Sequence, residues 1–329
     1  GSLHLHSNVT LYLEAGATLW ASTDPVHYAE RHNYGLPGRL SAGVLLQAED
    51  AEHISVIGEG TIHGQGTADY GARWGQPDRP TFRTGILLFE RCRQIAIRGV
   101  TILYSDSWTL HLKRCETVYI DGVTILNNPH RLNSDGIDPN SCRDVHISNC
   151  HIVAGDDCIV LKSTEAYPCE NVALANCTLE TTCTALTLRT ESIGDFSDVL
   201  VSNCTIRNTR TGIGYDLNDG ATLERISFAN LAIETQDWPI FMDLERRYPD
   251  SQVGTIRDVS MRDLYIQSSG GALIQGMPES PIQNLVLHNI SLRVDQPFDY
   301  STRSKPKGSA RNSPDARDTI YARQPAYVT

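Results

Sequence analysis

The sequence predicts an all-β chain wound into a right-handed parallel β-helix, a solenoid of about 27 residues per coil, and three observations carry that prediction. Five segments repeat one phrase at one spacing. TVYIDGVTIL (117–126), DVHISNCHIV (144–153), NVALANCTLE (171–180), DVLVSNCTIR (198–207) and RISFANLAIE (225–234) place Val118, Val145, Val172, Val199 and Ile226 each 27 residues apart. A fixed period in this range means stacked structural repeats. Each copy also alternates apolar and polar residues, is rich in Val and Ile, and is broken by Asn or Gly in a turn, as half-buried strands require. Helical stripes are almost absent. Parallel strands without crossover helices leave a β-helix as the best solution, each coil resting on the last at about 4.8 Å.

Weaker copies extend the register in both directions. HISVIGEGTI (53–62) and QIAIRGVTIL (94–103) lie upstream, and DVSMRDLYIQ (258–267) and NLVLHNISLR (284–293) downstream. The array therefore fills residues 1–295, which are expected to form one elongated domain. Length alone would suggest about two domains of ~150 residues, but a solenoid escapes that expectation because each coil contacts only its neighbours. Residues 296–329 lose the period and gather Pro, Ser and charge, the composition of an extended capping tail. Insertions break the repeat at 24–43, 65–84 and 237–254. Long loops on a solenoid gather on one face and carry binding.

The cysteines test the stacking independently. Cys92, Cys115, Cys142 and Cys169 each precede the repeat's Ile or Val by three residues, and Cys150, Cys177 and Cys204 recur 27 apart inside the Asn-Cys turns. Identical positions on adjacent coils point the same way, so these are read as small buried fillers rather than disulfide partners. Asn149, Asn176 and Asn203 precede the second column, with Asn230 and Asn289 continuing it, and stacked side-chain amides can hydrogen-bond from coil to coil. Unpaired thiols fit a cytoplasmic protein, although a packed interior would also protect them in a secreted one. Gly1-Ser2 reads as a cloning remnant and no signal peptide is visible, so localisation and oligomeric state stay open.

A net charge of −11 argues against nucleic acid and anionic membranes, whose phosphates need a basic footprint. No apolar run approaches the ~18 residues needed to span a bilayer.

Chemistry enters at NSDGID (133–138) and GDDC (155–158). Asp135 and Asp156 are 21 residues apart, so on a coil of about 27 they fall on neighbouring turns of one wall, with Asp157 beside Asp156. Taken singly, each motif is equally well an ordinary Asx turn. Superposed by the repeat, the three carboxylates converge. Like charges held this close cannot all ionise cheaply, so at least one should keep a proton near neutral pH. A protonated acid beside ionised partners is the equipment of glycoside hydrolysis.

Here the sequence resembles a family. GTIHGQG (60–66), Arg79-Pro80, ERCRQIAIRGVTILYSDSWTLHL (90–112), RLNSDGIDPNSCRDVHISNCHI (131–152) and AGDDCIVLKS (154–163) are similar, in order, to motifs of glycoside hydrolase family 28, the polygalacturonase-like enzymes, as is the entry phrase NVTLYLEAGATLWASTDPVHY (8–28). The resemblance implies a right-handed β-helix that hydrolyses pectic glycosidic bonds with inversion, needing no metal or organic cofactor. It implies Asp156 as the general acid, and Asp135 and Asp157 as the residues that hold and deprotonate the attacking water.

Two departures follow the same register. Sliding GDDCIVLKS forward by 27 gives TCTALTLRT (182–190), which sets Cys183 over Asp156, Arg189 over Lys162, and Thr184 where the family has a histidine. Another 27 gives RTGIGYDL (210–217), where the family's Arg-Ile-Lys uronate clamp has become Gly214-Tyr215-Asp216. An Asp in that place repels a uronic acid, so a neutral or mixed sugar, as in rhamnogalacturonan, is expected at the cleaved bond. Candidate sugar-binding residues are His130, Arg131, Lys162, Arg189, Tyr215 and Asp216, with Arg210 beside them; Asp216 pairing with Arg189 is the structural alternative. Trp108 is expected in the cleft wall and His111 in a packed role. Trp74, Trp238, Arg246, Arg247 and Tyr248, on the insertions, are expected to stack on sugar rings or close one end of the groove. Rival readings are a polysaccharide lyase on the same fold, using Ca²⁺ and a Lys or Arg base, and a non-catalytic glycan-binding β-helix.

Overall fold

The computed structural model describes residues 1–30, 41–67, 82–246 and 250–295, with the backbone alone for Ser41, Arg189 and Thr190. These residues form a right-handed parallel β-helix of 25 strands, with one short 3₁₀ turn at Pro25–His27. The expected tail at 296–329, and Trp74, Arg247 and Tyr248, lie outside the described residues.

Each coil contributes strands to three faces. The repeat valines line one of them: Val118 pairs with Val145, Val145 with Val172, Val172 with Val199 and Val199 with Ile226, all parallel and in register. A second face stacks Ile102, Ile125, Ile152, Leu179 and Ile206. The third, here called the front face, stacks Leu110, Ile137, Ile159, Leu186, Ile213 and Ile240. All of these side chains are buried and belong to one continuous apolar core. Because successive strand residues point to opposite sides, placing this column inward turns the intervening front-face residues outward.

Asparagine makes the bends. Asn149, Asn176, Asn203 and Asn230 have φ of 57°, 59°, 56° and 55°, a left-handed conformation that Asn tolerates better than most residues. Their amides form the expected ladder: Asn176 Nδ2 donates to Asn149 Oδ1 at 3.3 Å and Asn230 Nδ2 to Asn203 Oδ1 at 2.8 Å. Asp263 stands between Asn230 and Asn289 in this column and accepts from Asn289 Nδ2 at 2.8 Å. All nine cysteines are buried and unbridged. Thiols of the first column reach backbone oxygens of the neighbouring coil, as in Cys142 Sγ to Leu112 O at 3.2 Å.

The period is not uniform, and the exception falls at the carboxylates. On the front face Ile137 pairs with Ile159, a step of 22 residues rather than 27. The turn entering Ile137–Asn140 runs from 127 to 136, whereas the turn entering Ile159–Ser163 is only 155 to 158. Asp135 therefore lies level with Asp157, where a uniform step of 27 would have set it level with Lys162; Gly136 N donates to Asp157 O at 2.9 Å. The expected loop at 237–254 is also partly strand. Thr222–Leu244 runs unbroken through Trp238, which is fully buried opposite Thr211 instead of reaching out from a loop.

Replacing Asn176 by Ala should cost about 1–2 kcal/mol through the left-handed conformation, plus part of a hydrogen bond worth about 1 kcal/mol. Asn176→Gly, which keeps the bend and loses only the amide, should be the less damaging of the two in chemical denaturation. Equal losses would mean that the bend does not need its asparagine.

Candidate active site

Two turns of unequal length bring the carboxylates together, and close backbone packing fixes both. A Cβ on Gly155 would sit 2.3 Å from Arg131 O and 2.4 Å from Asn128 O, and one on Gly136 would sit 2.4 Å from Cys158 O. Only glycine fits such approaches. The longer turn is tied internally: Asn127 Nδ2 donates to Thr109 Oγ1 at 2.8 Å and to Ser134 O at 3.1 Å, and Ser134 Oγ donates to Arg131 O at 2.8 Å. Gly155 N then donates to Ser134 Oγ at 3.1 Å, locking the short turn to the long one.

Within this frame Asp156 Oδ2 accepts from Asn133 N at 3.0 Å, and Asp157 Oδ1 accepts from Thr184 N at 3.2 Å. One oxygen of each carboxylate and the sulfur of Cys183 lie within 4.8 Å of one another. Asp135, Asp156 and Asp157 keep 3%, 6% and 5% of their exposure, so all three sit deep yet none is wholly sealed.

The buried cation of the site is Lys162. Its Nζ lies 3.2 Å from Glu191 Oε2, 3.8 Å from Asp138 Oδ1 and 4.5 Å from the centroid of the Trp108 ring. Burial alone would lower its pKa, but the charges of Glu191, Asp138, Asp135 and Asp157 overcome that and hold the ammonium above its ordinary range. Asp138, fully buried, is displaced the other way from a normal carboxyl. Desolvation raises its pKa well above the usual range, reinforced by the charges of Asp135, Asp157 and Glu191 and opposed by Lys162. His111 is buried behind this group, edge-on to Trp108 with centroids 4.9 Å apart and with Nε2 3.3 Å from Asn140 Nδ2, the packed role expected of it.

The remaining candidates separate. Arg131 is buried and ion-paired with Asp106, its Nε 2.6 Å from Oδ1, so it braces the long turn. His130 is exposed on the same turn. The backbone of Arg189 pairs with that of Asp216, and Asp216 with Asp243, which stacks these positions on the front face. Arg210 pairs with Asp237 at 2.9 Å. Arg246 is paired with Glu279 at 3.2 Å. Tyr215 is a correction. It neighbours Asp216 on one strand and so must face the opposite way; its ring is fully buried in the core, edge-on to Phe228 at 5.8 Å. It cannot meet a sugar on the front face. The sequence reading also passed over Asp138, which follows the inward Ile137 and so turns outward by strand alternation, and Glu191, which an irregularity in register between Leu188 and Ser192 conceals.

The profile of the family described as "Glycosyl hydrolases family 28" matches residues 37–297. Among curated proteins, a probable polygalacturonase of Vitis vinifera is 31% identical over 180 residues, 50% of this chain and 34% of that protein. A probable exopolygalacturonase B of Aspergillus flavus is 27% identical over 145 residues, 41% of this chain and 33% of that one. The matched segment thus spans about a third of either relative. Among solved structures, a hyperthermoactive exopolygalacturonase from Thermotoga maritima superposes with a TM-score of 0.74 at 23% identity, covering 87% of this chain and 75% of that one, a likeness of fold.

Asp138 makes a pH signature. A carboxyl whose pKa is raised on folding adds stability that is fully present below its unfolded value of about 3.9 and fades as pH rises through the folded one. Asp138→Asn removes that titration. Compared in thermal melts at about pH 4 and pH 7, the wild type should lose ground relative to Asp138→Asn as pH rises; parallel profiles would contradict a buried, proton-retaining Asp138.

Proposed function

The chain belongs to glycosyl hydrolases family 28, and from that premise we propose that it is a glycoside hydrolase that cleaves a pectin-related glycan by direct attack of water. The observation that carries the proposal is the convergence of Asp156 and Asp157, with Asp135 level with Asp157 on the adjoining coil. In this reading Asp156 gives its proton to the glycosidic oxygen as the bond to the anomeric carbon breaks. Asp135 and Asp157 take a proton from the water that attacks the opposite face, so one proton is spent, one is gained, and no covalent intermediate forms. Thr184 N donates to Asp157 Oδ1, and the ammonium of Lys162 acts on both Asp135 and Asp157. In this reading the ammonium, which faces Asp135 and Asp157, marks those two as the water-activating pair. The threonine in the family's histidine place therefore contributes through its backbone.

Inverting enzymes usually hold acid and base about 6.5–9.5 Å apart to admit the water. Asp156 and Asp157 approach more closely than that, which favours a water seated toward Asp135.

The substrate reading is narrower. Lys162 is committed to Glu191 and Asp138, and the coils beyond it stack Asp216 on Asp243, both fully buried. Carboxylates stacked beneath the front face make it a poor seat for a uronate, although at 0% exposure Asp216 and Asp243 do not themselves reach the sugar. We infer a neutral or mixed sugar at the cleaved bond, as in rhamnogalacturonan-like chains, rather than plain polygalacturonate.

Products from a panel of pectic oligosaccharides in heavy-oxygen water should carry label at a new reducing end by mass spectrometry. Asp156→Asn and Asp135→Asn should each reduce turnover by about 10²–10⁴-fold. Unsaturated, ultraviolet-absorbing products would instead establish a lyase, and unchanged turnover in Asp156→Asn would remove the acid assigned here. Asp216→Lys should raise activity on polygalacturonate relative to neutral-sugar substrates; an unchanged preference would defeat the substrate reading alone.

A further inference from the structure

Cys183 stands apart from the other cysteines. The remaining eight belong to the continuous apolar core, whereas Cys183, although buried at 6% exposure, lies outside it. Its sulfur converges instead on one oxygen each of Asp156 and Asp157, all three atoms within 4.8 Å of one another. The ligand atoms come from consecutive coils, so their spacing is fixed by the solenoid rather than by a flexible loop. Both carboxylates are oriented from behind by backbone N–H groups, Asn133 N on Asp156 and Thr184 N on Asp157, the kind of outer support that metal ligands receive.

Two carboxylates and a thiol make a donor set with a definite preference. Calcium and magnesium take oxygen ligands throughout and would leave the sulfur unused. Zinc and its softer relatives accept mixed sulfur and oxygen ligation, and open zinc sites use three protein ligands with water in the fourth place. We propose that Asp156, Asp157 and Cys183 form a binding site for a thiophilic divalent cation of the zinc class, and that its occupancy blocks the carboxylates from acting on glycan. As the metal–sulfur bond forms, the thiol proton leaves to solvent, and no electrons are transferred. Blockage of turnover rests on the functional reading above; binding of the ion does not.

The test begins without glycan. Cadmium titrated into the intact protein should produce the ultraviolet thiolate-to-metal charge-transfer band and protect Cys183 from alkylation, read by peptide mass. Cys183→Ala should lose the band, and its zinc affinity by calorimetry should fall by more than the about 10–100-fold that loss of an outer-shell partner costs. Asp157→Asn should keep the band with weakened affinity, because the sulfur ligand remains. In turnover assays zinc should inhibit the wild type, reversibly by chelator, and spare Cys183→Ala. Absence of the band, or unchanged zinc affinity in Cys183→Ala, would overturn the proposal. Should that variant fail to fold, unaltered alkylation of Cys183 in the presence of cadmium overturns it equally. Metal binding in a protein that turns over no glycan would leave this site standing and remove the hydrolase reading.

Discussion

The backbone hydrogen bonds between successive coils are the constraint from which everything else descends. They hold each winding about 4.8 Å from the next, so that a residue's neighbours are set by register rather than by proximity in sequence. Apolar columns fill the inside, amide and thiol columns occupy the bends, and whatever is left on the front face is stacked into rows. The carboxylates converge because the turns leading into adjacent front-face strands are stacked by the same register. No loop has to fold over to assemble them.

Register also explains how the charges are arranged. Lys162 sits among Glu191, Asp138, Asp135 and Asp157, with Trp108 beneath its ammonium. A buried cation so placed is held charged by its neighbours, and a missing partner would be costly because it leaves its counter-ions stranded. Asp138 is the compensation. Its raised pKa disfavours one more negative charge around a single lysine.

Much of this was legible in the sequence. The strands announced themselves because Val118, Val145, Val172, Val199 and Ile226 repeat without variation in spacing, and the asparagine and cysteine columns marked the bends. The acid motifs NSDGID and GDDC could be placed side by side from the same period. What the sequence concealed was the local departure from it. Turns 127–136 and 155–158 differ in length, so the true step is 22 and the partner of Asp135 is Asp157. Tyr215 and Asp216 were both assigned to the sugar although strand alternation forbids it. Trp238 was assigned to a loop because the repeat phrase is hard to see there, yet the strand simply continues.

The unequal turns have a consequence for how such a rod can change over time. Adding or removing residues in one bend slides a single row of front-face side chains past the next while the buried valines keep their places. A deletion of a few residues thus works like a gear shift, remeshing acids, amides and cations into new combinations on an unaltered axle. Diversity of chemistry on this scaffold can arise from spacing alone, before any reactive residue is replaced.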